Sequence, residues 1–449
     1  MPHPLKESPT VDQSELAHLL RRTEYVAKPA RISALVGGTR EQAVDDILNV
    51  TVPVSLPAYL QTDIEGEGYD QFVYAIQWWI DRMVDSTKPM LERMAFFWHG
   101  HFCSGWDKVG STWAMMQQNK LFRDQAFGNF RGLTHAMSIQ TAMLLYLDNI
   151  DNVKSSPNQN FARELMELFT IGIGNYTEDD VTAAARAWTG HGINWNTYQY
   201  QFRSWDHDTG MKTFMGQTRN WDGPDIINFL LQENLTMKLT TCKFLTKKLW
   251  EHFAYQNPSQ VLIDEIAQVL YDNDFAIKPW VKAMLMHDEF YSAQAVNNLV
   301  RSPVEYVVNC MWFTGLRSQH LNPQWSVEGM GQVPFVPPNV AGWKTNAYWV
   351  NTSLFGARAE FARGITWRLR SSEPQWAAYR YDPSAGTLGN PQQAVTNVAN
   401  KFGLNLAAPT SAALRAYVDD ERAGISWIDW WEPTNLLTMA MMTPEFHVA

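Results

Sequence analysis

The stretch Asn160-Phe161-Ala162-Arg163-Glu164-Leu165-Met166-Glu167-Leu168-Phe169 decides the fold class. Phe161, Leu165, Leu168 and Phe169 recur at the three- and four-residue steps that share one helix face, while Asn160, Glu164 and Glu167 form a narrow polar stripe. The spacing predicts a helix over Gln159–Thr170, stopped ahead of Gly172 and Gly174. A helix this apolar needs other helices to cover it.

Neighbouring segments carry the same period. Upstream, Tyr69–Val84 places Phe72, Ile76, Trp79, Ile80 and Met83 on one face, Lys88–Phe102 starts with a helix-compatible Pro89, and Phe130–Leu147 extends as a further helix. Closer to the N-terminus, Asp12 or Ser14 can cap Glu15–Leu20, Pro29 can open Ala30–Leu35, and Thr39 can cap Glu41–Leu48. Residues 149–158 form a polar loop. Downstream, Thr177 caps a helix with the acidic first turn Glu178-Asp179-Asp180. Helices return over Asp225–Leu231, Thr240–Phe253, Pro258–Tyr271, Val304–Phe313 and Leu354–Leu369, while 329–349 and 371–397 read as long loops.

One segment breaks the helical period. Tyr198, Tyr200 and Phe202 alternate with polar residues, the two-residue period of a half-buried strand, and Asp206–Gly210 supplies turn residues before a return strand Met211–Phe214. The expected architecture is mainly α: a large multi-helical bundle with a small β-hairpin insertion at 196–215. The main body spans 1–295 and a C-terminal helical lobe, 296–449, packs on it.

Composition narrows the functional classes. Hydrophobic residues make up 45% and charged residues only 18% of 449, yet no apolar run approaches the roughly 20 residues that cross a bilayer, so no integral membrane contact is expected. A net charge of -10 gives no broad nucleic-acid footprint. The start of the chain shows no basic segment followed by an apolar core, hence no export signal within the sequence. Cys103, Cys242 and Cys310 are too scattered for a disulfide framework or cysteine-rich zinc site. The 20 tryptophans serve either core packing or aromatic platforms for sugars and flat ligands.

The candidates for chemistry are carboxylates and imidazoles. Glu164 and Glu167 can share a metal or divide into acid and base, although Arg163 and Glu167 also fit an ordinary surface ion pair worth about 0.2–0.5 kcal/mol. His99 and His101 flank a glycine at a helix end and, with the two glutamates, would complete a mixed nitrogen–oxygen metal site. His135, His207 and Asp208 are the candidate proton-transfer residues; a satisfied core histidine and a surface turn are the competing roles. Arg131, Asn160 and Arg163 are candidate substrate contacts. Phosphate-loop, zinc-protease, EF-hand, kinase and nucleophile-elbow signatures are missing, and no organic cofactor is indicated.

These motifs resemble those of DUF1800, a bacterial family of uncharacterised proteins. The anchors are AHLLRRTEYVAKPA at 17–30, FWHGHF at 97–102, GNFRGLTHAMSIQTAMLLYLDN at 128–149 and NQNFARELMELFTIGIGNYTEDDVTAAARAWTG at 158–190. HDTGMKTFMG at 207–216, RSPVEYV at 301–307, GQVPFVPPNVAGW at 331–343 and PEFHVA at 444–449 follow in order. The resemblance implies a mostly helical fold and an association with export, without naming a reaction. Where the family pattern has an NEN-like motif, this chain has Asn158-Gln159-Asn160, so a ligand role for a glutamate there does not carry over. The expected function is a metal-dependent hydrolase acting on a sugar-containing or other oxygen-rich substrate, with a divalent transition metal as cofactor. The alternatives are a non-catalytic carbohydrate- or protein-binding module and a redox-metal oxidoreductase.

Overall fold

Helices dominate the computed structural model, which describes residues 9–50, 54–370, 390–424 and 432–449. Local chemistry sets many of their ends. Asp12 caps Gln13–Glu24 by accepting from the Ser14 and Glu15 amides, and Thr39 and Gln42 close a reciprocal capping box at the start of Arg40–Leu48. Gly68–Asp85 buries Phe72, Ile76, Trp79, Ile80 and Met83, the face its spacing predicts. Each such side chain contributes about 1.5–3 kcal/mol when fully buried.

Three helical expectations change. Phe130–Leu147 is two helices, Phe130–Ser138 and Thr141–Tyr146, because the Gln140 side chain accepts from the Ala142 amide and caps the second. The Gln159–Thr170 helix starts as Asn160–Glu164 and then widens into a π-turn over Leu165–Phe169, where the Ile171 and Gly172 amides both reach back to the Met166 carbonyl. Thr112–Asp124, capped by Ser111, is an additional helix that the apolar spacing did not reveal. Of the 371–397 loop, residues 371–389 lie outside the described residues, and Pro391–Phe402 is helical.

The strands form, with different partners. Strand β2 (Gln199–Phe202) pairs backwards with β1 (His191–Asn194), and β3 (Lys212–Phe214) pairs forwards with β4 (Gln217–Arg219). Turn geometry decides this. Met215 and Gly216 both have positive φ, 44° and 80°, as a tight two-residue hairpin requires, so β3 turns directly into β4.

Among the described residues one continuous buried cluster includes side chains from both sides of residues 295–296. Trp79, Trp98, Trp188, Trp221, Trp250, Trp280 and Trp349 are fully buried, so packing uses many of the tryptophans, whereas Trp195, Trp205, Trp325 and Trp367 stay exposed. Glu92 anchors a charged knot within this core. Its carboxylate accepts from Arg123 Nε at 2.9 Å, Arg82 at 2.5 Å and the Trp79 indole at 3.0 Å. No described helix is long and apolar enough to cross a membrane.

Candidate metal centre

The segment 186–222 folds around three side chains that converge. The helix Glu178–Ala187, closed at its start by a Thr177–Asp180 capping box, ends at the buried Trp188. Gly190 then turns the chain at φ 81°, where an added Cβ would lie 2.6 Å from the Arg203 carbonyl. This places His191, only 2% exposed, at the head of β1. Buried asparagines from the 149–158 loop hold the turn: Asn149 donates to the His191 carbonyl at 2.8 Å, and Asn152 donates to the Ala185 carbonyl at 3.0 Å.

His207 approaches from beyond β2. Its Nδ1–H donates to the Thr189 carbonyl at 2.8 Å, which fixes the tautomer and leaves the Nε2 lone pair available. Asp222 comes from the far side, as N-cap of Gly223–Asn228, its Oδ1 accepting from the Gly223 amide at 2.6 Å and from His191 Nε2 at 3.0 Å. Burial pulls the Asp222 pKa upward, but the hydrogen bond and charge of His191 outweigh it and hold the carboxyl below its usual value. Gly223 is required here because any Cβ would meet the Trp188 ring at 2.5 Å.

Among the described residues, His191, His207 and Asp222 form the one group of three or more potential ligands, with ligand atoms within 4.8 Å of one another. A tetrahedral ion bound at about 2.0–2.2 Å needs donors roughly 3.4 Å apart, so a small contraction closes the set. The outer partners suit that role. Tyr200 Oη lies 3.0 Å from His191 Nδ1 and donates to it while Nε2–H donates to Asp222; an ion at Nε2 would move the ring proton to Nδ1, where the phenol oxygen can accept it.

The Asp208-Thr209-Gly210-Met211-Lys212 turn is tied down by ion pairs and backbone hydrogen bonds beside the trio. The Asp208 carboxylate pairs with Arg186 at 2.7 Å and accepts from the Gly210 amide at 2.8 Å. Lys212, 1% exposed, donates to the carbonyls of Asp208 at 2.5 Å, Gly210 at 3.0 Å and Trp221 at 3.0 Å. One ammonium thereby ties the stretch after His207 to the residue before Asp222.

The other sequence candidates lie elsewhere. His99 is 1% exposed, boxed by Trp79, Phe335 and Trp343, and its Nε2 accepts from the Phe335 amide at 3.0 Å, so that lone pair is occupied. His101 Nε2 meets the Phe169 carbonyl at 3.1 Å. Glu167 accepts from the Tyr176 hydroxyl, and Glu164 stands half-buried beside it, its pKa raised by burial and by the Glu167 charge. These four do not gather into one ligand set, because helix packing sends each imidazole to a backbone partner. His135 pairs with Asn228 at 2.9 Å, Arg131 with Asp274 at 2.9 Å, Arg163 with Glu178 at 2.7 Å and Asn160 with Asp148 at 3.0 Å. Of the candidate site residues only His207 belongs to the trio.

Sequence reasoning passed over His191 and Asp222. Both had signals. His191 directly follows the glycine that ends the preceding helix, and Asp222 stands two residues ahead of Pro224, where a helix cap belongs.

The family described as "Protein of unknown function (DUF1800)" matches residues 18–448. The chain belongs to DUF1800. Its membership thus spans the helical body, both hairpins and the C-terminal helices. Among curated proteins and among solved structures, nothing matches this DUF1800 chain.

Proposed function

We propose that this DUF1800 protein is a metal-dependent hydrolase whose ion is held by His191, His207 and Asp222. The observation that carries this is the two-imidazole, one-carboxylate donor set, with the His207 tautomer fixed by the Thr189 carbonyl so that its Nε2 lone pair is free. A divalent cation on such donors supplies Lewis acidity and lowers the pKa of water toward about 7. The chain's own groups do the rest. His191 exchanges its hydrogen bond to Asp222 for an Nδ1–H donated to Tyr200, which frees both its Nε2 and the Asp222 carboxylate for the ion. Trp195 and Trp205, exposed on the same connecting segment, offer flat apolar faces suited to a sugar-containing or other oxygen-rich substrate.

Hydrolysis is the simplest chemistry for a sequence without an organic-cofactor motif. The same donor set also suits non-haem iron, which favours a redox-metal oxidoreductase as the second reading. Metal analysis of tag-free protein separates them: about one zinc or manganese per chain supports hydrolysis, and oxygen uptake by an iron-loaded form supports oxidation. Ester, phosphate and glycoside chromogenic substrates then test turnover, with Asp222→Asn expected to abolish it. A wild-type protein that retains no metal and turns over none of these substrates would leave only a non-catalytic binding role.

A further inference from the structure

A separate cavity lies near the carbonyl end of the π-turn. It has a volume of about 230 Å³ and is lined by the apolar rings of Phe96, Phe97, Trp343 and Trp349 and by His101 and Lys248. The π-turn explains why those two polar residues are there. Its widened hydrogen bonding leaves the last carbonyls of the turn to outside donors, so His101 Nε2 takes the Phe169 carbonyl at 3.1 Å and Lys248 Nζ reaches the Leu168 carbonyl at 3.4 Å.

Both groups retain unspent capacity. A carbonyl only accepts, so His101 Nε2 carries the proton and Nδ1 is a bare acceptor; that atom is buried and has no partner, in a side chain whose residue is 2% exposed. The Lys248 ammonium has one long bond to a carbonyl and no carboxylate paired with it among the described residues. Burial lowers its pKa to about 8, which leaves it largely cationic at neutral pH. His252 also lines the cavity with an unpartnered Nε2. Buried polar atoms without partners cost about 1–3 kcal/mol each, so a ligand that satisfies them gains affinity and selectivity together.

We propose that this cavity binds a small hydroxycarboxylate. The carboxylate would accept from Lys248, a hydroxyl would donate to His101 Nδ1, and the carbon skeleton would rest on the aromatic walls. A monoanion fits better than a phosphate dianion because Glu251 and Glu305 nearly balance the lining's cations, Arg22, Lys248 and Lys344. A cavity of this volume suits a molecule of roughly monosaccharide size.

Three near-isosteric probes test this on the full chain by calorimetry in EDTA, which removes any contribution from a metal at the His191 site. Mandelate carries both groups, phenylacetate lacks the hydroxyl, and 1-phenyl-1,2-ethanediol lacks the carboxylate. Mandelate is expected to bind at one site per chain, phenylacetate about five-fold more weakly and the diol about ten-fold or more weakly. Lys248→Met keeps the aliphatic stem and is expected to erase the preference for mandelate over the diol. Absence of saturable mandelate binding, equal affinity for all three probes, or unchanged mandelate affinity in folded Lys248→Met overturns the proposal. The probe comparison on the wild type decides the matter even where the variant fails to fold.

Discussion

Replacing His207 by alanine is the sharpest perturbation of the proposed metal centre, because the residue is only half-buried and its Nδ1, not its Nε2, holds the Thr189 carbonyl. A ligand present at one hundred times its dissociation constant stabilises the folded state by about 2.7 kcal/mol. Unfolding entropy of about 2.1 cal/mol/K per residue over 449 residues is roughly 0.9 kcal/mol/K, so saturating metal should raise the wild-type Tm by about 3 °C. Differential scanning calorimetry across a zinc, manganese and iron(II) series reads this directly. His207→Ala should lose the shift, while His135→Ala, whose ring is engaged with Asn228, should keep it. Equal metal-dependent shifts in wild type and His207→Ala, or no shift with any of these ions, would refute the assignment of the trio as a metal site.

Tyr200→Phe removes the partner of His191 Nδ1 and should weaken metal binding by about 10–100-fold in a competition titration with a fluorescent chelator, with little loss of Tm in the metal-free protein. Glu92→Gln leaves the buried Arg123 guanidinium without its counter-charge and should cost about 3–5 kcal/mol, a fall in Tm of about 3–5 °C by the same entropy. Burial opposes ionisation of Glu92, but Arg123 and Arg82 hold its pKa below 4.5, so its stabilisation is present above that pH and is lost as the pH falls; the gap between wild type and variant should narrow in acid. Glu164→Gln should do the reverse. Burial and the Glu167 charge raise the Glu164 pKa above 4.5, so the folded chain loses stability as pH rises through that range, and the variant should equal or exceed the wild-type Tm at pH 7, converging with it in acid. A lower Tm for Glu164→Gln at neutral pH would mean that the carboxylate has a stabilising partner.

By itself the sequence determined the helical class, because apolar spacing and capping residues act within a few positions of one another. Phe72, Ile76, Trp79, Ile80 and Met83 face the core as their period requires, and Thr39 and Thr177 cap the helices that follow them. It also marked His207 and the turn after it. Tertiary structure decided what those residues do. Glu164 and Glu167 look alike as a stripe, yet only Tyr176 packing distinguishes Glu167, and neither is joined by His99 or His101 because backbone groups of distant segments take those imidazoles. The His191–His207–Asp222 trio draws one residue from the start of β1, one from a turn and one from a helix cap, brought together by the Gly190 turn and the Lys212 tether. Spacing within one element is a local property of the chain; convergence between elements depends on long-range packing, and no local period encodes it.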